Sequence, residues 1–593
     1  MSDYAAPLDD MRFVINELCD LDGIAGFPGY QEATPDLVDL VLEEAGKLAT
    51  GVIAPLNHDG DVEGCHIDNG VVRTPKGTKE AYAQFVEGGW NGVPFDPDFG
   101  GQGLPWLVST ALSEMWNSSN MAFALCPLLT QGAVELLSAH GSDDLKKKFL
   151  ANMISGHWNG TMNLTEPQAG TDLAQVRSRA ERQGDDYKIT GQKVFITYGE
   201  HDMTDNIVHM VLARVPDAPP GIKGLSLFVV PKFMVNDDGT LGDRNDLHCV
   251  SIEHKLGISA SPTAVMSFGD DGGATGYLVG EENNGIRYMF TMMNNARLAV
   301  GLQGVAIGER AFQQARDFAR DRIQSRATGG SDPAPVAIIH HPDVKRMLMS
   351  MKSRNEAARA LAYYTAATLD AAKRHPDQDR RQGAQNMVDL LIPVVKAWST
   401  DNGIDIANIG IQVHGGMGYI EETGAAQHLR DARIATIYEG TNGIQAIDLI
   451  GRKVARDQGH TVAILIDDMK TVVDRLKASG NDQLAVIGDR LETALSGLKQ
   501  ATDWIVETYA SKPNDALAVA VPYLTLLGNT AGGWMMGAAA LAVSENEPEG
   551  EFGRAKIASA RFYADHVLSE VPGQSETVLR GGSIVSEINI DDI

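Results

Sequence analysis

Apolar residues recur at helical spacing as soon as the chain leaves Pro7 and Asp9. Met11, Val14, Ile15 and Leu18 share one face, which predicts a short amphipathic leader helix packed on a larger body. Helical patterns continue to about Met153, and then the period changes. Short runs rich in β-branched and aromatic residues follow: Tyr187 to Ile189, Lys193 to Thr197, Ile207 to Arg214, Leu225 to Val230 and Ala264 to Phe268. Gly, Asp and Pro separate them, which predicts an antiparallel β domain of roughly 120 residues between helical regions. Long helices return from Ile286 to Arg456. A last block places Leu484, Ile487, Leu491, Leu495, Leu498 and Trp504 on one stripe, read as core packing. Residues 457–482 read as the approach to that block, because Asp457-Gln458-Gly459 and Gly480-Asn481-Asp482 bracket them. The fold class is α+β. Its divisions are a leader (1–35), an N-terminal helical domain (36–160), a middle β-barrel-like domain (161–283), a helical bundle (284–456) and an additional helical domain (457–593).

At 593 residues several packed units are expected, and a hydrophobic content of 43% fits a folded globular protein. Cys19, Cys65, Cys126 and Cys249 are far apart, so neither a disulfide framework nor a zinc site is indicated, and a reducing cytoplasm is the expected compartment. The acidic start Met1-Ser2-Asp3-Tyr4 lacks the pattern of a secretory signal. A formal charge of -28 opposes binding to nucleic acid, which needs clustered Lys and Arg. Ala516 to Ser544 holds no charged residue and is long enough to span a bilayer. Pro522, Gly528-Asn529 and Gly532-Gly533 interrupt it, which predicts two buried helices around a turn and no membrane span.

One string carries chemistry: Ile437-Tyr438-Glu439-Gly440-Thr441-Asn442-Gly443-Ile444-Gln445. A carboxylate set between an apolar run and a Gly-containing turn is mounted as a buried base would be. Apolar neighbours raise its pKa toward neutrality, and Gly440 lets backbone approach a ligand closely. A Glu before a Gly turn is also an ordinary solvated loop residue, so the string gains weight only from its context. His414 reads as structural, and His340-His341 have no carboxylate or cysteine companions at ligand spacing, so no metal is expected.

That context is a set of five strings in order. Phe99-Gly100-Gly101-Gln102-Gly103, Leu164 to Asp172, Gly191 to Thr197, Gln412 to Tyr419 and the Tyr438 to Gln445 segment resemble those of acyl-CoA dehydrogenases, as does the order of helical, β and helical domains. The leader and C-terminal extension look most like the larger family members, in particular those acting on 3-methylthiopropanoyl-CoA in bacterial dimethylsulfoniopropionate breakdown. Very-long-chain members also carry an extension, but their membrane association finds no support in this sequence.

The resemblance implies removal of an acyl-CoA α-proton while a β-hydride passes to FAD. Glu439 matches the base, and Ala296 stands where some members carry it instead, which leaves Glu439 without a rival. Arg297 matches a residue that orders the base and substrate, or else makes a structural salt bridge. Gly440 and Thr171 match substrate-binding positions. Leu164, Thr165, Phe195, Thr197, Arg322, Gln324, Gln412, Gly415, Gly416 and Thr441 match cofactor-binding positions. For Thr165 and Thr171 the plain alternative is turn capping, for Phe195 a core ring, and for Gly415-Gly416 a tight turn. Ser325 and Arg326 depart from the family's aromatic and glycine, which weakens adenine packing there. The implied partners are an acyl-CoA, electron-transferring flavoprotein and a second copy in a homodimer. Competing expectations are a general short- or medium-chain β-oxidation enzyme and an acyl-CoA oxidase; a DNA-associated relative would need a basic surface.

Overall fold

The computed structural model describes residues 4–329, 334–546 and 550–593. They pack as two compact units, one of Met1–Glu44, Pro105–Glu114 and Arg297–Ile593, the other of Ala45–Leu104 and Met115–Ala296.

The first unit is helical. It contains the leader helix α1 (Leu8–Phe13), the start of α2 (Trp106–His140), most of α3 (Gly285–Asp321), α4 (Pro342–Arg374), α5 (Gln378–His414) and the short α6 (Asn442–Asp448). The added domain follows with α7 (His460–Ala478), α8 (Asp482–Ser511), α9 (Ala520–Asn546) and α10 (Glu551–His566). Met11, Val14 and Ile15 of the leader are buried as the spacing predicts. Residues 457–482 are more than an approach: their apolar positions Val462, Leu465, Ile466, Met469 and Val473 bury one face of α7. On α8 the stripe is buried from Leu484 to Leu498, but Ile505 completes it and Trp504 is only half-buried.

Ala516 to Ser544 corrects the sequence reading in a second way. One 27-residue helix, α9, runs through the glycines that were expected to break it. They serve packing: a Cβ at Gly528 would stand 2.4 Å from Trp398, whose indole N–H donates to Asn529 Oδ1 at 2.9 Å. Both α2 and α9 are long and apolar enough to cross a membrane, and their most apolar windows are 83% and 89% buried within the protein. Close approach also fixes α3 against α5, where a Cβ at Gly304 would meet Ser399 O at 2.2 Å. That contact brings the segments carrying Arg297 and Lys396 together.

A buried ionic network ties the leader to the rest of this unit. Arg359 on α4 donates to Asp10 (2.6 Å), Glu114 (2.6 Å) and Glu309 (2.7 Å), and Tyr363 donates to Glu114 at 2.7 Å. Lys556 on α10 donates to the other oxygen of Asp10 and pairs with Glu356 at 3.2 Å. Asp10 therefore links the leader, the bundle and the added domain.

The second unit holds strands β1 (Trp158–Asn163), β2 (Arg179–Gln183), β3 (Asp186–Thr197), β4 (Asn206–Ala213), β5 (Ser226–Pro231), β6 (Leu247–Ile252), β7 (Thr263–Phe268) and β8 (Ala274–Leu278). Their order is β6-β7-β3-β8-β5-β4-β1, with β2 also on β3. Every pair is antiparallel except β1 with β4, whose residues Trp158 to Asn163 run parallel to Asn206 to Val211. The two expected runs at Tyr187 and Lys193 are one strand, and the register against β7 shifts between Ala264 and Met266. Phe195 sits at that irregularity with φ +61°.

Burial opposes the Asp10 carboxylate, but Lys556 and Arg359 hold it well below the usual carboxylate range. A depressed folded-state pKa adds stability that is complete above the unfolded value of 3.8 and fades as pH falls below it. Asp10→Asn leaves two buried cations short of a partner and is expected to cost about 3–5 kcal/mol at pH 7. Denaturant titration of wild type and variant should show that gap, narrowing below about pH 4; equal midpoints at pH 7 would refute the role given to Asp10.

Candidate active site

The reactive turn lies in the first unit, between the short helical segment Arg433–Thr436 and α6. Its backbone reverses through two consecutive left-handed residues, Glu439 (φ +57°) and Gly440 (φ +83°). Gly accepts this geometry freely, whereas a residue with a Cβ gives up about 1–2 kcal/mol there. Hydrogen bonds hold the turn in place. Gln445 Nε2 donates to Glu439 O at 3.0 Å, and Lys396 Nζ donates to Gly440 O at 2.8 Å and Asn442 Oδ1 at 2.9 Å. The Asn442 amide in turn reaches Thr400 Oγ1 (3.0 Å) and Asp401 Oδ1 (2.8 Å) on α5. Thr441 caps α6 by accepting from the Ile444 N–H at 3.3 Å, and the Tyr438 hydroxyl donates to Gln303 on α3. A bond from a charged donor contributes about 1.5–3 kcal/mol, so the Lys396 contacts suffice to offset the strain at Glu439.

Glu439 is half-buried. Desolvation raises its pKa to about 7, against the opposing pull of Arg297 and Lys396. Neither cation touches it: among the described residues Glu439 makes no ion pair within 4.0 Å. Arg297 is buried and pairs with Asp448 on α6 at 3.7 Å, and Arg452 approaches the same carboxylate at 3.4 Å. Arg297 is a salt-bridged cation whose charge also acts on the Glu439 carboxylate. The N–H groups of Glu439 and Gly440 donate to no acceptor among the described residues. A carboxyl group whose pKa is raised to about 7 thus stands beside two backbone N–H groups with no acceptor among the described residues.

Other expected site residues of this unit lie on exposed backbone. Arg322 and Gln324 are exposed and bond only loosely to each other, at 3.4 Å. Gln412, Gly415 and Gly416 are exposed at the end of α5, with open space where a Cβ would stand on either glycine. His414 between them is structural, bonded through Nδ1 to Gly410 O at 2.7 Å and packed on Phe318.

The second unit carries the remainder. Leu164 is buried, Thr165 is half-buried and its carbonyl accepts from the Val194 N–H at 2.9 Å. Thr171 is exposed, and the capping beside it is done by Asp172, which accepts from the Ala174 N–H at 3.1 Å. Phe195 is 62% exposed, so it is no core ring, and Thr197 pairs across the sheet with Thr263.

Three residues of these surroundings escaped the sequence reading. Lys396 is a single cation in the apolar run Leu390 to Trp398, which was its signal. Lys193 and Glu166 lie within two of the motif strings, where nothing in the sequence singles them out. Lys193, fully buried, donates to Glu166 Oε1 at 2.8 Å and Leu164 O at 3.0 Å. Glu166 also accepts from the Ser178 hydroxyl (2.6 Å) and the Arg177 N–H (2.7 Å). The pair braces the Leu164–Asp172 loop against β3.

Family models match most of the chain: acyl-CoA dehydrogenase N-terminal domain over 39–157, middle domain over 161–270 and C-terminal domain over 283–455, then an acetyl-CoA dehydrogenase C-terminal-like domain over 465–589. A 3-methylmercaptopropionyl-CoA dehydrogenase of Ruegeria pomeroyi is 49% identical over 98% of each chain. A butyryl-CoA dehydrogenase of Syntrophomonas wolfei is 34% identical over 96% of this chain and 95% of its own. Among solved structures, an acyl-CoA dehydrogenase complexed with FAD from Bacillus anthracis superposes with a TM-score of 0.76 at 18% identity, covering 98% of this chain and 92% of that one. At that identity the likeness shows the fold alone.

Lys193 and the hydrogen bonds around Glu166 push its pKa down to about 2 against the cost of burial. The resulting stabilisation is complete above 4.5 and declines as pH falls toward 2. Lys193→Met should lower the unfolding free energy by about 3–5 kcal/mol, and adding Glu166→Gln should recover part of that loss. Chemical denaturation of the single and double variants checks this; strictly additive losses would exclude the pairing.

Proposed function

The chain belongs to the acyl-CoA dehydrogenase family, and on that premise we propose that it dehydrogenates a short acyl-CoA thioester at its α and β carbons. The proposed substrate is 3-methylthiopropanoyl-CoA and the product 3-methylthioacryloyl-CoA, a step in dimethylsulfoniopropionate breakdown. The 49% identity over 98% of the chain to an enzyme named for that acyl group supports this choice. The Syntrophomonas relative favours butanoyl-CoA as a second reading, because a thioether and a methylene are similar in size and polarity.

The observation that carries the reaction is the mounting of Glu439. Its carboxylate, raised to about 7 by desolvation, takes the α-proton. The free N–H of Glu439 points to a donor for the thioester oxygen, where negative charge grows as that proton leaves. Arg297 keeps a positive charge near the base, and Gly440 lets the thioester approach the backbone; Thr171 is assigned to the same substrate.

FAD fits the residues present. The Arg322 guanidinium and the amides of Gln324 and Gln412 suit a pyrophosphate, and Gly415 and Gly416 leave room for close approach. Leu164, Thr165, Phe195, Thr197 and Thr441 complete the proposed cofactor contacts, with the bare Phe195 ring available to an isoalloxazine face. When bound, FAD supplies the acceptor for the hydride that leaves the β carbon. Electron-transferring flavoprotein as electron acceptor, a cytoplasmic location and a homodimer belong to the same proposal. A sedimentation mass of four chains would contradict the dimer.

Anaerobic titration with 3-methylthiopropanoyl-, butanoyl- and octanoyl-CoA, followed by loss of oxidised flavin absorbance, tests the substrate. The first two should bleach the flavin and the third should not; preferential bleaching by octanoyl-CoA would overturn the short-chain assignment. Glu439→Gln should retain flavin and thioester binding while slowing reduction by about 10²–10⁴-fold. In the wild type the rate should rise with pH through about 7, as the carboxylate becomes ionised. Normal turnover by Glu439→Gln would sink the base assignment.

A further inference from the structure

Lys396 is fully buried on α5, in an otherwise apolar stretch, and its ammonium donates to a backbone carbonyl and a side-chain amide oxygen instead of a carboxylate. A buried cation with no contact counterion is costly, so its position calls for a reason beyond packing. Its two acceptors are Gly440 O at 2.8 Å and Asn442 Oδ1 at 2.9 Å, one and three positions after the proposed base. Asn442 is itself locked to Thr400 and Asp401, four and five positions along from Lys396, so one face of α5 grips the turn at successive points.

We infer that Lys396 is a positioning residue for the proposed reaction: its ammonium clamps the left-handed Glu439-Gly440 turn from α5 and keeps a positive charge near the carboxylate without touching it. The inference rests on Glu439 being the base. Two consequences follow from the geometry. Releasing the Gly440 carbonyl lets the turn relax out of its strained conformation, which swings the carboxylate and the adjacent free N–H together. Removing the charge leaves Arg297 as the cation still acting on Glu439, and Arg297 is already engaged with Asp448, which Arg452 shares.

The charged groups facing this turn can be followed element by element. Arg297 comes from α3, Lys396 and Asp401 from α5, Asp448 from α6 and Arg452 from the segment after it; Tyr438 flanks the base and bonds to Gln303. Desolvation pushes the Lys396 ammonium down to about 8, with Glu439 and Asp401 opposing that fall, so it carries its charge at neutral pH. Loss of that charge favours the protonated form of Glu439 and moves the rise of rate with pH to higher values.

The test uses full-length, flavin-loaded protein and butanoyl-CoA as probe, with the rate of flavin bleaching measured from pH 5.5 to 9. Lys396→Gln keeps an amide able to donate to Gly440 O but carries no charge, and Lys396→Met removes both functions. Both variants should shift the midpoint of the pH profile upward by about half a unit to one unit, and Lys396→Met should also slow the plateau rate by about tenfold or more. Asn442→Ala keeps the ammonium, so it should lower the plateau without moving the midpoint. If Lys396→Met fails to fold, Lys396→Gln still decides the charge effect. Wild-type profiles for both Lys396 variants, or a uniform loss with an unmoved midpoint, would overturn the inference. Glu439→Gln measured in parallel separates the two readings. If it is inert while the Lys396 variants behave as wild type, only the positioning role falls; if it turns over normally, the base assignment falls and takes the positioning role with it.

Discussion

A carboxylate that must accept a proton near neutrality has to be kept from two easy fates, full solvation and a contact ion pair. Either would return Glu439 to an ordinary acidic group. The turn avoids both by half-burying the side chain and by stationing Arg297 and Lys396 beyond ion-pair distance. Each cation is occupied elsewhere, Arg297 by Asp448 and Lys396 by the Gly440 carbonyl and Asn442. Glu439 is thereby supplied with positive charge nearby without a contact ion pair among the described residues.

That balance makes demands on the surrounding unit. Arg297 and Lys396 lie on different long helices, and their closeness depends on α3 and α5 packing almost backbone to backbone at Gly304 and Ser399. A side chain on that glycine would separate the helices and with them the two cations. The added domain reinforces α5 from elsewhere along its length, where Trp398, two residues from Lys396, fits over Gly528 of α9. The network of Asp10, Arg359 and Lys556 then joins the leader and the added domain to α4 of the same unit. Outlying segments of the sequence therefore help hold the framework in which Glu439 is set.

The fold was legible in the sequence because it is written locally, and the proposed base was singled out by the same kind of local signal. Periodicity switches from helical to alternating and back, and Glu439 announces itself by an apolar run followed by Gly440. What stayed hidden depends on partners distant in sequence. Nothing near Lys396 in the chain shows that Gly440 lies 44 positions away against its side chain, and nothing near Gly528 reveals Trp398, so the glycines of α9 were taken for breaks. Phe195 is an instructive intermediate: a strand Phe is ordinarily core, yet it is exposed because a local irregularity turns it outward, and only the resemblance suggested that. Arg297 was left between a functional and a structural reading because a salt bridge and an electrostatic influence on the base are compatible, which sequence cannot reveal.

Glu439 keeps part of its surface exposed. On the proposed assignment, a thioester settling beside Glu439 displaces water, which strengthens desolvation and raises the proton affinity further. The same loss of water lowers the effective dielectric constant between Glu439 and its two cations, and their attraction for the ionised form grows. The two changes oppose each other. A base regulated by desolvation alone would become fully protonated on meeting its substrate and lose its function. With Arg297 and Lys396 at intermediate range, the carboxylate can stay ionised as the site closes, and contact pairs would have held it ionised too firmly to accept a proton at all. On the proposed assignment, cations that act on Glu439 without a contact ion pair suit the turn to proton abstraction.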